Sequence, residues 1–434
     1  MTDERKKDRF GNVHAPGLPY ARGQLIADTQ DDIQKLRAAW ALIRQRVSEQ
    51  GHDAVFNLSG LERGFRYNPD ERGLLDDELA AALHIERLTE LGLEHLGGVP
   101  DRHDIMLLNR QTAALLVATL IMARPGDTVI GVSPSYSHPA VTRAAAQAGA
   151  HFVDTAGVEP FESALDRVAN VSLVVLTRLA VSYEILSVDE IEQIVALARR
   201  AKAKVLVDDA GGARVGPAVF GQPQALELGV DVVATGLDKY GTVGPRLGLL
   251  AGARDIVQQI RVRAIEMGLE ARPMLYPAVV RSLEQYDPAR VRELVATTKD
   301  VVQELRSLLG DPRVAQTPVI GQLRGEDILE IAMERAQLSR PPIVPYEATA
   351  ALAMLLLRDY GILTVHFAGL PPGTSALLIK FLPAETVSRF GGAHKLAQAF
   401  NNALSTLSQM IDKPGELREL LLDEPVPESL AVGD

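Results

Sequence analysis

Apolar runs and helical patterns alternate between residues 105 and 252, and this alternation restricts the fold more than any other feature of the chain. Apolar runs that predict strands lie at residues 105–109, 125–132, 172–177, 205–207 and 230–234. Helical patterns follow several of them, for example residues 113–123 and 187–203. Strands that alternate with helices indicate βαβ units. We therefore predict an α/β fold whose sheet is mainly parallel and carries helices on both faces.

The length of 434 residues allows more than one domain. We predict an N-terminal arm and helix over residues 1–85, a large domain over 86–286 and a smaller α+β domain over 287–434. A helix is predicted at residues 29–51, with capping residues at its start and Gly51 at its end. Its apolar side chains share one face, which we expect to be buried with Trp40 in the core. That face comprises Ile33, Leu36, Trp40, Ile43 and Val47.

Carboxylates and a lysine follow two consecutive predicted strands. Asp208 and Asp209 end the run at residues 205–207, and Lys239 comes just after the run at 230–234. Open α/β sheets bind ligands outside the carboxyl ends of their strands. Pyridoxal 5'-phosphate (PLP) needs a lysine for a Schiff base and a carboxylate that keeps its ring nitrogen protonated. Lys239 and Asp208 suit these two roles. Alternatively, Lys239 is a solvated loop lysine and Asp208 caps a helix.

Several segments resemble the fold-type-I PLP-dependent enzymes, whose large domain is aspartate aminotransferase-like. The matching segments read VDDAGGARV, the pair Asp238-Lys239, GPRLGLLAG, GLEARPMLYPAVVRSLEQY and RDYGILTVHFAGLPPG. The resemblance is closest to the selenocysteine synthase (L-seryl-tRNA selenium transferase) group, and within it to the archaeal selenocysteine-synthase-like PLP proteins. It implies a seven-stranded type of sheet, PLP as the cofactor, Lys239 as the Schiff-base lysine and Asp208 as the ring partner.

A predicted strand ends at a polar turn before the helical pattern at residues 113–123. The turn contains Asn109, Arg110, Gln111 and Thr112. Free N–H groups and the helix dipole favour a phosphate at such a helix start. The resemblance implies that this turn holds the PLP phosphate, and that the hydroxyl of Thr235 adds a contact. An ordinary capped helix is the alternative.

The resemblance also implies a flat side chain against the cofactor ring, after the run at residues 125–132. Tyr136 and His138 are the two flat side chains there. The resemblance to the archaeal proteins includes a His-Pro pair at this place, which favours His138. A histidine beside the reacting carbon could also move protons. Alternatively, His138 is only a turn residue before a proline.

The substrate-binding residues follow less directly from the sequence. The resemblance leads us to expect an arginine for the substrate carboxylate in the segment SALLIKFL, where this chain has Leu378. Lys380, Arg178 or Arg214 could replace that arginine, unless the substrate is unusual. His366 is a further candidate, although an outward-facing strand histidine is an equal alternative. His84, His95 and His103 lack metal-ligand spacing, so we expect no metal site.

The composition of the chain limits the partners, the chemistry and the cellular location that we expect. The net charge of −11 argues against a nucleic-acid surface, so we expect no tRNA partner. The chain has no cysteine, which excludes disulfides and thiolate chemistry. No apolar stretch approaches a membrane span, and the first residues lack a signal-peptide pattern, so we expect a cytoplasmic protein. In the resembled enzymes the active site usually forms between two subunits, which implies a homo-oligomer, at least a dimer.

The predicted activity is that of a PLP-dependent transferase or lyase on an amino acid or similar amine. The resemblance favours β-elimination or β-replacement through a carbanion at Cα. Aldol cleavage, oxidative decarboxylation and transamination use the same lysine and aspartate and stay open. A PLP-binding sensor or scaffold without turnover is an alternative of another class, and a tRNA-dependent role is a third, weaker one.

Overall fold

The computed structural model describes residues 6–367 and 369–424. These form two compact units, which we call the sheet unit (Glu62–Arg292) and the terminal unit (Met1–Leu61 with Glu293–Asp434). No helix among the described residues has both the length and the hydropathy that a membrane crossing requires.

The secondary structure alternates as the sequence predicts. The strands are β1 Phe56–Asn57, β2 His103–Leu108, β3 Thr128–Ser133, β4 His151–Ala156, β5 Val171–Leu176, β6 Lys204–Asp208, β7 Val232–Gly236, β8 Gly248–Ala253, β9 Ala315–Gln316, β10 Ile320–Leu323, β11 Ile362–Leu363 and β12 Leu377–Lys380. The helices are α1 Thr29–Gln50, α2 Asp77–Leu96, α3 Gln111–Met122, α4 Pro139–Gln147, α5 Val158–Arg167, α6 Val188–Arg200, α7 Gly212–Phe220, α8 Arg254–Glu266, α9 Tyr276–Glu284, α10 Pro288–Leu309, α11 Gly325–Ala336, α12 Pro345–Tyr360, α13 Ala384–Phe390, α14 Ala393–Met410 and α15 Pro414–Leu422.

The sheet unit is built on a seven-stranded sheet with the order β2-β8-β7-β6-β5-β3-β4. Strands β3 to β7 pair in parallel, whereas β8 runs antiparallel to β2 and β7. Side chains of successive strand residues point to opposite faces, so Val174 and Val205 join one buried cluster and Leu173 and Leu206 join another. Both faces of the sheet are therefore covered, and the predicted fold class is confirmed.

The terminal unit combines the two ends of the chain. It contains the antiparallel sheet β12-β10-β9, and a parallel pair joins β1 to β11. Its core surrounds α12, in which residues 345–357 are buried. Ala38 and Ala39 of α1 belong to the same core. The compact units therefore divide after residues 61 and 292, whereas the predicted division fell after 85 and 286. The first five residues of the predicted arm lie outside the described residues.

Helix α1 forms where predicted. Leu36 and Ile43 of its predicted buried face pack partly buried against the core, but the expectation of a buried Trp40 is wrong. The side chain of Trp40 is 55% exposed, and Ile33 and Val47 are also exposed. The helix instead buries Asp32 and Lys35 together with Ala38 and Ala39. Two alanines let the helix approach the core closely, and Asp32 neutralises Lys35 through an ion pair of 3.0 Å. A polar buried face of this kind cannot be found from hydrophobic periodicity.

Candidate active site

Three strands that run in the same direction end at one edge of the seven-stranded sheet. They are β2, β6 and β7, which end at Leu108, Asp208 and Gly236. Strands β2 and β7 share a direction because both are antiparallel to β8, and β6 is parallel to β7. The turns beyond these ends carry Gln111 and Lys239. The strand order therefore brings the predicted acid, lysine and polar turn to one edge.

The side-chain amide of Gln111 connects Asp208 to Lys239. Gln111 Nε2 donates to Asp208 Oδ1 at 2.5 Å, and Lys239 Nζ donates to Gln111 Oε1 at 3.1 Å. Gly236 lies beside this bridge, because a Cβ atom there would be 3.1 Å from Lys239 Nζ. Gln111 is the first residue of α3. Its backbone lies in the predicted phosphate turn, but its side chain faces the acid and the lysine.

Burial shifts the pKa values of both Asp208 and Lys239. Burial raises the pKa of Asp208 to about 6, although the charge of Lys239 and the Gln111 hydrogen bond oppose the rise. Burial also lowers the pKa of Lys239, against the opposing charges of Asp238 and Asp208. The neutral amine is the nucleophilic form of a lysine. The site therefore favours a lysine that can attack a carbonyl carbon.

The raised pKa of Asp208 predicts a pH-dependent stability difference. A carboxyl whose folded pKa is raised contributes stability below its usual pKa of 3.8 and loses it as the pH passes about 6. In the cofactor-free protein we expect Asp208→Asn to be more stable than wild type at pH 8, by about 3 kcal/mol. The gain should disappear near pH 4. Urea unfolding of both proteins across this range measures it, and a gain that is independent of pH would contradict the assignment.

The start of α3 is a geometrically suitable anion site. Its N-cap residue, Arg110, makes no side-chain capping hydrogen bond, so the first N–H groups of the helix keep their capacity for a ligand. Gly248 of β8 lies directly against this turn, because a Cβ atom there would be 2.7 Å from the Gln111 nitrogen. Asn109 and Thr112 are exposed beside it. Asn109 Nδ2 donates to the Gly268 carbonyl at 3.3 Å.

Two further arginines, Arg63 and Arg246, add positive charge near this site. Arg63 Nε lies 3.1 Å from Asp238 Oδ2, and Arg246 Nε lies 3.8 Å from the same oxygen. Partial burial, followed by the charges of Arg110 and Arg63, lowers the pKa of Arg246 to about 10. Neighbouring cations that disfavour one another's charge are stabilised by an anion. Arg246 follows Pro245 in the Gly-rich segment after the lysine, and that was the available sequence signal.

His138 is the N-cap of α4. Its Nδ1 accepts a hydrogen bond from the Ala140 N–H at 3.1 Å. Burial, together with the charges of Lys239 and Arg143, lowers the pKa of His138 to about 4. The ring is therefore neutral near pH 7 and carries its proton on Nε2. In this state His138 presents a flat ring and a hydrogen-bond donor.

Thr235 and Arg214 are fully buried and bind each other. Arg214 Nη1 donates to Thr235 Oγ1 at 2.9 Å, and the Thr235 hydroxyl donates to the Ala210 carbonyl at 3.3 Å. The proton of this hydroxyl is therefore already engaged within the protein. Arg214 Nε and Nη2 have no hydrogen-bond partner among the described residues. This hydrogen bond depends on the packing of α7 against β7, and sequence spacing does not reveal it.

Arg178 is also fully buried. Its Nη2 donates to Asp209 Oδ2 at 2.5 Å, and its Nη1 donates to the Pro223 carbonyl at 2.8 Å. Asp209 is equally inaccessible. The pair lies beyond the ends of β5 and β6, where it connects the two turns. Its guanidinium is thus committed to a carboxylate of the same chain.

The two remaining predicted site residues, Lys380 and His366, belong to the terminal unit. Lys380 ends β12, is buried, and pairs in the sheet with Ile320. His366 is buried beside Tyr346, at a centroid distance of 5.6 Å, and is not outward-facing.

The donor set of the sheet unit fits a cofactor that combines a pyridine nitrogen, an aldehyde and a phosphate. Asp208 offers a buried carboxylate that already accepts an N–H bond. Lys239 offers a buried amine with a lowered pKa. The uncapped start of α3 and the nearby arginines offer a phosphate site. The fold and this edge of the sheet define the class of fold-type-I PLP-dependent proteins.

Comparison with known proteins gives the family. The family described as aminotransferase class I and II matches residues 94–325. A protein of Methanothermobacter thermautotrophicus, named UPF0425 pyridoxal phosphate-dependent protein, is 30% identical over 402 residues, which cover 92% of this chain and 100% of that protein. A protein of the same name from Methanosphaera stadtmanae is 29% identical and covers 79% of this chain and 86% of its own. The chain belongs to the aminotransferase class I and II family, among the UPF0425 PLP-dependent proteins.

Solved structures of low sequence identity share the fold. A serine palmitoyltransferase from Sphingomonas wittichii superposes with a TM-score of 0.54 at 18% identity and covers 86% of this chain and 84% of its own. SepCysS, in a complex with the N-terminal domain of SepCysE, superposes with a TM-score of 0.54 at 15% identity and covers 81% and 95%. At such identities the likeness shows the fold alone.

Proposed function

We propose that this protein is a PLP-dependent enzyme in which Lys239 forms the Schiff base and Asp208 holds the ring nitrogen. The cofactor is PLP. The observation that carries the residue assignment is the buried connection from Lys239 through Gln111 to Asp208. The carboxylate of Asp208 and the amine of Lys239 both bind the side-chain amide of Gln111, and burial favours the neutral form of Lys239. A surface lysine and a helix cap would show neither feature.

The cofactor supplies an electron sink that stabilises negative charge at the substrate Cα. The protein residues supply the rest. Asp208 carries the negative charge that keeps a ring N–H in place, and Gln111 holds Asp208 by its own N–H. Burial lowers the pKa of Lys239 and so favours its neutral form, and Lys239 would therefore serve as the base that takes the Cα proton. The first turn of α3, with Arg110 and Arg246, would hold the phosphate of the cofactor.

We assign supporting roles to the deeply buried polar residues. Arg214 and Thr235 hold each other and the Ala210 carbonyl, so they position the turn after β6. Arg178 holds Asp209, so it positions the chain next to Asp208. Arg214 Nε and Nη2 have no hydrogen-bond partner among the described residues, so Arg214 stays a candidate for the substrate carboxylate, together with Lys380 and His366.

His138 is proposed to lie flat against the cofactor ring. His138→Asn keeps a capping acceptor for Ala140 but removes the aromatic face, and we expect roughly tenfold weaker cofactor binding from the lost ring contact. His138→Phe keeps the face but loses the cap, so its affinity should stay near wild type while stability falls by about 1 kcal/mol. Absorbance titration with PLP and urea unfolding measure the two effects. The reverse order of affinities would contradict this role.

The proposed reaction is β-elimination or β-replacement on a serine-like amino acid or an amino-sugar-acid substrate, in line with the selenocysteine-synthase-like resemblance. The products separate the possibilities. On β-elimination, L-serine would release water, O-phospho-L-serine phosphate and O-acetyl-L-serine acetate, and in each case a water molecule would hydrolyse the remainder to a 2-keto acid and ammonia. Aldol cleavage would instead release an aldehyde, and transamination would need an added keto acid. Oxidative decarboxylation would release carbon dioxide. A protein that binds PLP and turns over none of a broad amine panel would be a sensor or scaffold.

Partners and location are part of the same proposal. The partner is a small amine or amino acid, and the enzyme works as a homo-oligomer of at least two copies in the cytoplasm. The net charge of −11 is the reason to expect no tRNA surface. A tRNA affinity that weakens steeply with salt would overturn that part without affecting the cofactor assignment.

A further inference from the structure

An apolar stripe lies exposed on α1 in the terminal unit. Ile33, Trp40 and Val47 are 44%, 55% and 38% exposed, and we call them the α1 stripe. Their seven-residue spacing keeps them on one side of the helix. Trp40 is the only tryptophan of the chain. Contiguous apolar surface rimmed by polar residues is typical of interaction sites.

Two arginines border the α1 stripe. Arg37 and Arg44 follow Ile33 and Trp40 by four positions each, so they lie beside the stripe along one edge. Both are exposed. Neither guanidinium has an ion pair or hydrogen bond with any residue in 6–367 or 369–424. The α1 stripe is therefore bordered along one edge by positive charge that no other described residue neutralises.

A groove of about 520 Å³ lies among α1, α12, α14 and α15 of the same unit, and we call it the α15 groove. Its apolar lining includes Leu42, Met354, Met410 and Leu420. Glu419 and Asp423 line it with exposed carboxylates that have no ion pair within the described chain. Arg358 and Glu416 also line it, but each pairs with a neighbour of opposite charge. Methionines adapt their shape to an inserted side chain.

We propose that the α1 stripe of one copy docks in the α15 groove of a second copy of this chain. The apolar α1 stripe would contact the apolar lining of the α15 groove. Arg37 and Arg44 beside the stripe would face Glu419 and Asp423 of the groove, which have no ion pair within the described chain. Each copy carries both surfaces, so the contact can be reciprocated in a closed pair. Stripe against stripe is disfavoured, since it would bring four guanidinium groups together. An anionic membrane would satisfy the arginines but leave the groove carboxylates unused.

Charge exchange in the full-length, PLP-loaded protein tests this contact. Arg37→Glu with Arg44→Glu should weaken self-association roughly tenfold or more and shift Trp40 emission to the red. Glu419→Arg with Asp423→Arg should do the same. The fourfold variant, which restores opposite charges in exchanged positions, should recover both signals. Sedimentation equilibrium measures the association. Arg324→Glu with Arg340→Glu is the control, since it changes the net charge equally on exposed residues of the same unit.

The outcomes separate the alternatives. Unchanged association and unchanged Trp40 emission in Arg37→Glu with Arg44→Glu overturn the proposal. A fourfold variant with wild-type circular dichroism that stays dissociated shows that the groove is not the docking site. Blue-shifted Trp40 emission with phosphatidylserine vesicles, without any change in association, assigns the stripe to lipid instead. None of these results depends on the cofactor chemistry.

Discussion

Replacing Lys239 by alanine is expected to abolish covalent attachment of the cofactor. Wild-type protein with PLP should show an absorbance band at roughly 410–430 nm, and borohydride should fix the cofactor to the peptide that contains Lys239. The variant should show neither signal. Turnover should fall by roughly 10⁴-fold or more, because the same nitrogen is the base at Cα. Visible spectra and peptide mass spectrometry measure the attachment.

Lys204, a second lysine in the seven-stranded sheet, is the matched control for Lys239→Ala. Lys204 begins β6, the strand that ends at Asp208, and its side chain is 54% exposed and paired with Asp231. Lys204→Ala should keep the band, the borohydride product and the turnover. Labelling that persists in Lys239→Ala would assign the Schiff base to another lysine. A colourless wild type after PLP addition would reduce Lys239 to a loop residue.

The sheet and its functional edge follow from local sequence rules. Each apolar run ends at a polar residue, and parallel strands bring these ends together, so Asp208 and Lys239 are predicted to lie at one edge. Helix α3, which follows β2, is predicted because the helical pattern at residues 113–123 comes directly after a polar turn. The α/β fold could be predicted correctly because strand and helix periodicities alternate in the sequence without long interruptions.

The contacts that the sequence did not predict are those made across elements. The Arg214 hydrogen bond to Thr235 joins α7 to β7, and the Gln111 amide faces β6 instead of the helix start. Neither orientation is encoded in residue spacing. Hydrophobic periodicity also placed Trp40 inside, since it counts apolar residues and ignores a buried ion pair such as Asp32 with Lys35. Tertiary packing decides such cases.

The buried pair of Arg178 and Asp209 is expected to be the most stability-sensitive polar contact of the sheet unit. Both side chains are 0% exposed. Arg178→Met leaves the Asp209 carboxylate buried without its partner, so the free energy of unfolding should fall by about 3–5 kcal/mol. The exposed pair of Arg313 and Glu334, at 2.6 Å, is the control. Arg313→Met should cost less than about 1 kcal/mol.

A double-mutant cycle and its pH dependence separate loss of the pair from loss of packing. Asp209→Asn removes the unpaired charge, so Arg178→Met with Asp209→Asn should cost less than the two single changes added together. Burial already raises the pKa of Asp209, and the charge of Arg178 opposes that rise. Without the arginine the folded pKa rises further, so the deficit of Arg178→Met should shrink as the pH falls toward 5 and be largest above pH 7. Urea unfolding at both pH values measures this. Additive costs that do not change with pH would mean that Arg178 acts through packing alone, and its guanidinium would again be a candidate for the substrate carboxylate.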